Sequence, residues 1–178
     1  METIKVRDKE FTVSLPAAEI QARVKAVAQQ ISEDLRDKHP IFLAVLNGAF
    51  VFAADLLRSV TTDCEISFIR FASYSGTQST GNVKQLLGLN EDLRGRTVVI
   101  VEDIIDSGLT MQHLLETLKQ HEPADVRIAA LLVKPDNLEV KLDIPYCCFQ
   151  IPNDFIVGYG LDYDGEGRNL PDIYTVVE

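Results

Sequence analysis

The stretch TVVIVEDIIDSGLTMQH, from Thr97 to His113, changes character three times, and each change has a chemical use. Thr97 to Val101 is an apolar, mostly β-branched run with Gly95 before it, the composition of a strand buried on both faces in a parallel sheet. Three carboxylates follow, Glu102, Asp103 and Asp106, and then Ser107, Gly108 and Thr110. From Thr110 the pattern turns helical, with Met111, Leu114, Leu115 and Leu118 at the spacing of one buried face.

A strand that ends in acids and runs through Ser-Gly-x-Thr into a helix builds an anion site at the carboxyl end of a sheet. The free N–H groups of the first helical turn and its positive dipole end face a phosphate. Gly108 allows close backbone approach, and the Ser107 and Thr110 hydroxyls add donors. Acids repel a bare phosphate, so the ligand brings hydroxyls, a metal ion or a developing positive charge beside it. A sugar phosphate fits all of these.

On the amino-terminal side, Ile20, Val24, Val27, Ile31 and Leu35 predict an amphipathic helix from Pro16 to about Lys38, with Pro16 in its first turn. Ile41 to Leu46 predicts a strand, Asn47-Gly48 a turn, and AFVFAADLLRSV a buried helix, because it is apolar nearly all round. Cys64 to Phe71 is the next strand. It leads into Ser73 to Asn82, which has no aliphatic side chain, and apolar residues resume at Val83, Leu86, Leu87 and Leu89. The segment is expected to be the mobile tip of a hairpin or a flap between two extended arms.

Beyond the central helix, which Pro123 stops, Val126 to Val133 is a buried strand with a lone lysine, Lys134, at its end. Tyr146 to Ile151 and Phe155 to Tyr159 are short strands around the turn Pro152-Asn153-Asp154. Alternating units of this kind give an α/β fold, a doubly wound, mainly parallel sheet flanked by helices. Its ligands sit beyond the carboxyl ends of the strands. Asn47-Gly48, Glu102 to Thr110 and Lys134 all fall at such ends.

A chain of 178 residues with 46% apolar and 25% charged residues has the composition of an ordinary globular protein, and a single domain over residues 1–178 is expected. The net charge of −10, from 27 acids against 17 Lys and Arg, argues against nucleic-acid or anionic-membrane binding. The start, METIKVRDKEF, lacks the apolar core of a secretion signal, and no apolar run approaches the roughly 18 residues of a membrane span. A cytoplasmic location is the expectation. Cys64, Cys147 and Cys148 have no metal-site spacing and are expected to be packing residues. Asp162 to Gly167 matches the first half of a calcium loop, but Ile173 stands where the bidentate Glu is needed.

VVIVEDIIDSGLT is similar to the phosphoribosyl-pyrophosphate-binding motif of the type I phosphoribosyltransferases, and Asp106 within it resembles their 6-oxopurine branch. Further likeness lies at Leu46-Asn47-Gly48, Ser73-Tyr74, Leu132-Val133-Lys134, Ile151 through Tyr163, and Arg168, in order along most of the chain. The resemblance implies transfer of a 5-phosphoribosyl group from phosphoribosyl pyrophosphate to hypoxanthine or guanine, with magnesium as cofactor and a homodimer or homotetramer as the assembly. It also implies a small hood built from the N- and C-terminal segments, and a flexible hairpin loop.

On this resemblance Glu102 and Asp103 hold the ribose hydroxyls and bias magnesium, while Ser107, Gly108, Leu109 and Thr110 cradle the 5′-phosphate. Asp106 is the general base at a purine ring nitrogen, and Lys134 donates to the exocyclic oxygen. Phe155 stacks on the purine, and Ile156 gives it backbone contacts. Asp162 takes part in a second magnesium site, Arg168 meets pyrophosphate, and Ser73-Tyr74 belongs to the closing loop. Asn47 and Gly48 form the pyrophosphate loop. Asn47 stands where many relatives carry Lys or Arg, so this loop works with one positive charge fewer. A sensor that kept such a site and bound RNA would want a basic face, and this chain is acidic.

Overall fold

The computed structural model describes residues 2–74 and 83–177. A hairpin of β1 (Thr3–Val6) and β2 (Lys9–Leu15) opens the chain. It is followed by helix α1 (Ala17–Asp34), strand β3 (Ile41–Val45), helix α2 (Phe50–Ser59) and strands β4 (Glu65–Tyr74) and β5 (Val83–Leu87). Next come strand β6 (Thr97–Ile105), helix α3 (Leu109–Lys119), strand β7 (Asp125–Val133) and a 3-10 turn (Pro135–Asn137). Strands β8 (Tyr146–Gln150), β9 (Ile156–Val157) and β10 (Ile173–Val176) complete the order.

Six strands form one sheet in the order β5-β4-β3-β6-β7-β8, parallel except for the antiparallel β4–β5 hairpin. The central strands are apolar along their length because both faces are covered. On one face Ile20 and Val24 of α1 and Phe52 and Leu56 of α2 pack with Phe42, Val99 and Val101. On the other, Met111, Leu114 and Leu118 of α3 join Leu43, Ile100 and Ile128. Each such side chain contributes about 1.5–3 kcal/mol on full burial. This is the doubly wound architecture that the alternating pattern predicts.

A second, four-stranded antiparallel sheet, β1-β2-β10-β9, joins the two ends of the chain as a hood. It docks through Ile156, Tyr159, Leu161 and Ile173, which enter the core of α1 and α2. The Tyr159 hydroxyl donates to Asp55 on α2 (2.6 Å), which also accepts from Gln21 on α1 (2.8 Å).

Several local expectations need correction. Strand β6 does not stop at Val101 but runs on to Ile105, because β7 continues to pair with it as far as Val133 opposite Ile105. Helix α2 is not buried all round: Phe50 is 43% exposed, and only Phe52, Ala53 and Leu56 are buried. Helix α1 ends at Asp34, short of Lys38, with Pro16 as its N-cap instead of inside its first turn. The expected strand Phe155 to Tyr159 shrinks to Ile156–Val157 and belongs to the hood. The crossover from β7 to β8, for which no helix is expected, carries only the 3-10 turn. The β4–β5 hairpin is present, pairing Arg70 with Leu87 through Tyr74 with Val83. Residues 75–82 of the expected flap, and the side chains of Ser73 and Tyr74, lie outside the described residues.

Candidate active site

The crevice lies where the winding direction reverses, between β3 and β6. Pairing of β3 with β6 ends at Ala44 opposite Val101, so from Glu102 onward β6 has β7 on one side and a gap on the other. Asn47-Gly48 turns in that gap after a cis peptide between Leu46 and Asn47. A methyl group added to Gly48 would collide with the Asp103 carboxylate, so glycine is what lets this turn and the acid lie side by side.

Glu102 and Asp103 are half-buried. Burial pushes the Glu102 carboxyl well above the usual carboxylate range, and a hydrogen bond and charge from Asp103 push the same way. The Asp103 N–H donates to Glu102 Oε1 (3.1 Å), and the Ile104 N–H donates to Asp103 Oδ1 (2.8 Å). A cation at this point would relieve two acids held close together.

Past Asp106 the chain bends through Gly108, whose φ of 82° caps α3 in the left-handed region that glycine tolerates. The Leu109 N–H donates to Ser107 Oγ (3.3 Å). Helix α3 has no acid within its first turn, and its positive dipole end faces the crevice. Glu102, Asp106, Ser107, Gly108 and Thr110 line a hollow of about 120 Å³ there.

On the far side stands Lys134, at the end of β7 and only 8% exposed. Its Nζ lies 3.6 Å from Asp106 Oδ2 and donates to Asn153 Oδ1 at 3.4 Å. Asp106 Oδ1 accepts from Asn137 Nδ2 (2.7 Å). An ionised acceptor and a buried cation therefore stand next to each other at the mouth of the phosphate loop.

The hood meets the crevice at Gly160, which abuts the Gly48 carbonyl so closely that a side chain there would clash with it. Arg168 Nη1 donates to Gly160 O (2.6 Å), and its Nη2 pairs with Asp162 Oδ1 (3.0 Å). Asp162 also accepts from the Gly165 N–H (2.8 Å). Asn47, Gly48, Asp103, Asp162 and Arg168 thus form one connected group. Phe155 is 44% exposed, with its ring edge-on to Tyr163 (5.3 Å between centroids) and tilted against Phe11 (6.1 Å), while Ile156 is buried beside it.

Of two further polar residues in contact with this site, Asn153 lies in the turn and the stretch of resemblance but carries no assigned role there, while Asn137 sits in no motif or periodic pattern. Each meets its partner only through folding. The cysteines behave as packing residues: burial raises all three thiols, Cys148 to about 12.

Residues 16–164 match the family model described as the phosphoribosyl transferase domain. The chain is 43% identical over 168 residues to the hypoxanthine phosphoribosyltransferase of Escherichia coli K12, covering 93% of this chain and 94% of that protein. It is 42% identical to the hypoxanthine-guanine phosphoribosyltransferase of Mycobacterium avium, covering 93% of this chain and 85% of that one. A crystal structure of a hypoxanthine-guanine phosphoribosyltransferase from Bacillus anthracis superposes with a TM-score of 0.85 at 41% identity, over 94% of this chain and 97% of that one. With the switch-point crevice, the phosphate loop and these likenesses together, the chain belongs to the phosphoribosyl transferase domain family, on its hypoxanthine-guanine branch.

Proposed function

We propose that this protein transfers the 5-phosphoribosyl group of phosphoribosyl pyrophosphate to hypoxanthine or guanine, releasing pyrophosphate and a purine nucleotide, a purine salvage reaction. The observation that carries the reading is the Asp106–Lys134 pair, 3.6 Å apart beside the phosphate loop. A donor-only cation next to an acceptor-only carboxylate matches the carbonyl and ring N–H that a 6-oxopurine presents on one edge.

In this mechanism the backbone of Ser107 to Thr110 and the start of α3 bind the 5′-phosphate. Glu102 and Asp103 accept from the ribose hydroxyls. Asp106 takes the proton from the purine ring nitrogen as the base attacks, and Lys134 donates to the exocyclic oxygen. Phe155 offers an exposed ring face to the purine, and Ile156 lends backbone contacts. Asn47-Gly48 presents backbone N–H groups to pyrophosphate. Arg168, with two of its five donors held by Gly160 and Asp162, adds positive charge beside it. The resemblance assigns Ser73-Tyr74 to this reaction as well, where water that would hydrolyse the sugar cation has to be excluded.

Magnesium suits these residues. It is usually held by one or two carboxylates with substrate phosphates completing its shell, and Glu102 and Asp103 supply adjacent carboxylates, with Asp162 across the crevice. Among the described residues no cluster of three or more His, Cys, Asp or Glu could hold a metal by itself. In this reading the substrate's oxygens complete the set. When bound, magnesium offsets charge on the leaving pyrophosphate.

The chain acts as one phosphoribosyltransferase domain in the cytoplasm, assembled as a homodimer or homotetramer. Support for assembly comes from Ile66 and Phe68. They share a sheet face with their register partners Phe42 and Ala44, yet are 41% and 45% exposed beyond the cover of α1 and α2. No described helix is long and apolar enough to cross a membrane.

The test is steady-state pyrophosphate release with each base. Hypoxanthine or guanine should be turned over with a kcat/KM about 10⁴-fold above that of adenine, the discrimination that buried polar contacts provide. Adenine within about tenfold of hypoxanthine would overturn the purine-pocket assignment.

A further inference from the structure

Two parallel crossovers of the large sheet carry a helix, α2 between β3 and β4 and α3 between β6 and β7, whereas residues 134–145 between β7 and β8 hold only the 3-10 turn. Their first half runs alongside residues 105–108 and is fastened to them position by position. The Lys134 N–H donates to Ile105 O (2.9 Å), Asn137 Nδ2 to Asp106 Oδ1 (2.7 Å), and the Glu139 N–H to Ser107 O (2.9 Å). Gly108 then packs against Leu138, Val140 and Leu142 with no room for a side chain. The two backbone hydrogen bonds are indifferent to which residue makes them, and the Gly108 contact is apolar packing. Among the three hydrogen bonds, Asn137–Asp106 alone depends on side-chain identity, and it does so at both ends.

We propose that Asn137 is a positioning residue for the transfer reaction, acting by holding the Asp106 carboxylate in the orientation that receives the purine proton. The inference rests on the reading of Asp106 as the base.

The Asp106 side chain is 54% exposed and its carboxylate turns about a single bond, so something has to choose which lone pair faces the purine. Lys134 and Asn137 leave the same tight turn, closed by Asn137 N–H to Lys134 O (3.1 Å), and address opposite oxygens of one carboxylate. Lys134, at 3.6 Å from Oδ2, is an ion-pair partner without a hydrogen bond, and in the complex its ammonium is directed to the purine oxygen. Asn137 is then the donor that stays with Asp106. A neutral amide suits this task, since it fixes the carboxylate without adding a second positive charge that would weaken it as a base.

The experiment measures kcat, the KM for phosphoribosyl pyrophosphate and the pH profile of kcat in the full-length protein. Asn137→Leu removes the donor at similar volume. It should lower kcat by roughly tenfold, the size of one hydrogen bond to a charged group. It should leave the KM for phosphoribosyl pyrophosphate unchanged and move the acid limb of the profile to higher pH, because the ionised carboxylate has lost a donor. Asn137→Asp should move that limb further in the same direction, and Asn137→Gln should restore part of both effects.

In an Asp106→Asn background, Asn137→Leu should cost nothing more. A merely structural role would lower the melting temperature without moving the acid limb, and that result overturns the proposal. So does an Asn137→Leu protein with the parental kcat and profile, provided Asp106→Asn is impaired. Parental turnover by Asp106→Asn itself would instead overturn the reading of Asp106 as base. If Asn137→Leu does not fold, Asn137→Ser, smaller than the native residue on a half-exposed turn, carries the same readouts.

Discussion

The two ends of the large sheet each carry a hollow, and the comparison separates size from chemistry. At the amino end, where α1 and α2 finish, Ser32, Arg36, His39 and Thr61 line a cavity of about 430 Å³. At the carboxyl end, where α3 begins, the hollow lined by Glu102, Asp106 and the phosphate loop is about 120 Å³. Several polar groups of the larger one are bonded to each other. Ser32 Oγ donates to Ala28 O (2.7 Å) and accepts from the Thr61 N–H (3.0 Å), and Gln29 donates to Glu33 (3.0 Å). The helices ending there present the negative ends of their dipoles. The smaller hollow has a helix start beside it and Glu102 and Asp106 in its lining, with Asp103 bonded next to the first and Lys134 paired with the second. A parallel sheet makes the carboxyl end the reactive one, and volume does not change that.

The sharpest way to break this contrast is Asp106→Asn. It should lower kcat by about 10²–10⁴, the usual worth of general-base catalysis, while isothermal titration finds phosphoribosyl pyrophosphate binding little changed. Unchanged turnover would remove the base from the carboxyl end.

Lys134→Gln comes next. A glutamine offers both a donor and an acceptor where lysine only donates, so hypoxanthine should lose kcat/KM while adenine loses little or gains. Each unpaired polar contact is worth about 1–3 kcal/mol, so the gap between the two bases should narrow by about one to two orders of magnitude. Measuring kcat/KM for both bases in parent and variant decides it.

Glu102 sharpens the comparison through pH. Its folded value is raised by burial first and by Asp103 second, so the folded chain holds that proton more tightly than the unfolded chain does. The stability this confers is fully present below the ordinary glutamate range and is lost as pH rises through the raised value. Glu102→Gln, neutral throughout, should therefore melt higher than the parent at about pH 8 and match it near pH 4, in the absence of ligands. With magnesium and phosphoribosyl pyrophosphate the order should reverse, because the ligands want the charge. Thermal unfolding with and without them reads both signs.

The smallest effect on function is expected at the other end. Ser32→Ala leaves the Thr61 N–H unpaired, at a cost of about 1–3 kcal/mol and roughly 2–4 °C in Tm for each kcal/mol. Its kcat/KM should be that of the parent. A large loss of activity there would mean that the amino-end cavity is coupled to the site after all.

Much of the reactive end is legible in the amino-acid sequence. The apolar runs of β3, β6 and β7, the helical spacing in α1 and α3, and the acids followed by Ser107-Gly108-Leu109-Thr110 are local patterns. They record which faces are buried and which turns glycine must make, and the fold keeps them. What no local pattern decided, whether or not the family resemblance implied it, depends on neighbours. Glu102 and Asp103 stay inside β6 because β7 pairs on to Ile105 after β3 has ended. The first hairpin joins the hood because β2 finds β10 at the other end of the chain, Val13 opposite Tyr174. Arg168 reaches the crevice because Gly160 fits against Gly48, and Asn137 reaches Asp106 because a helix-free crossover lies beside the phosphate loop. Periodicity and turn chemistry express the burial and backbone preferences of residues close in sequence. Which edges and side chains meet across the chain is settled only when the packed surfaces come together.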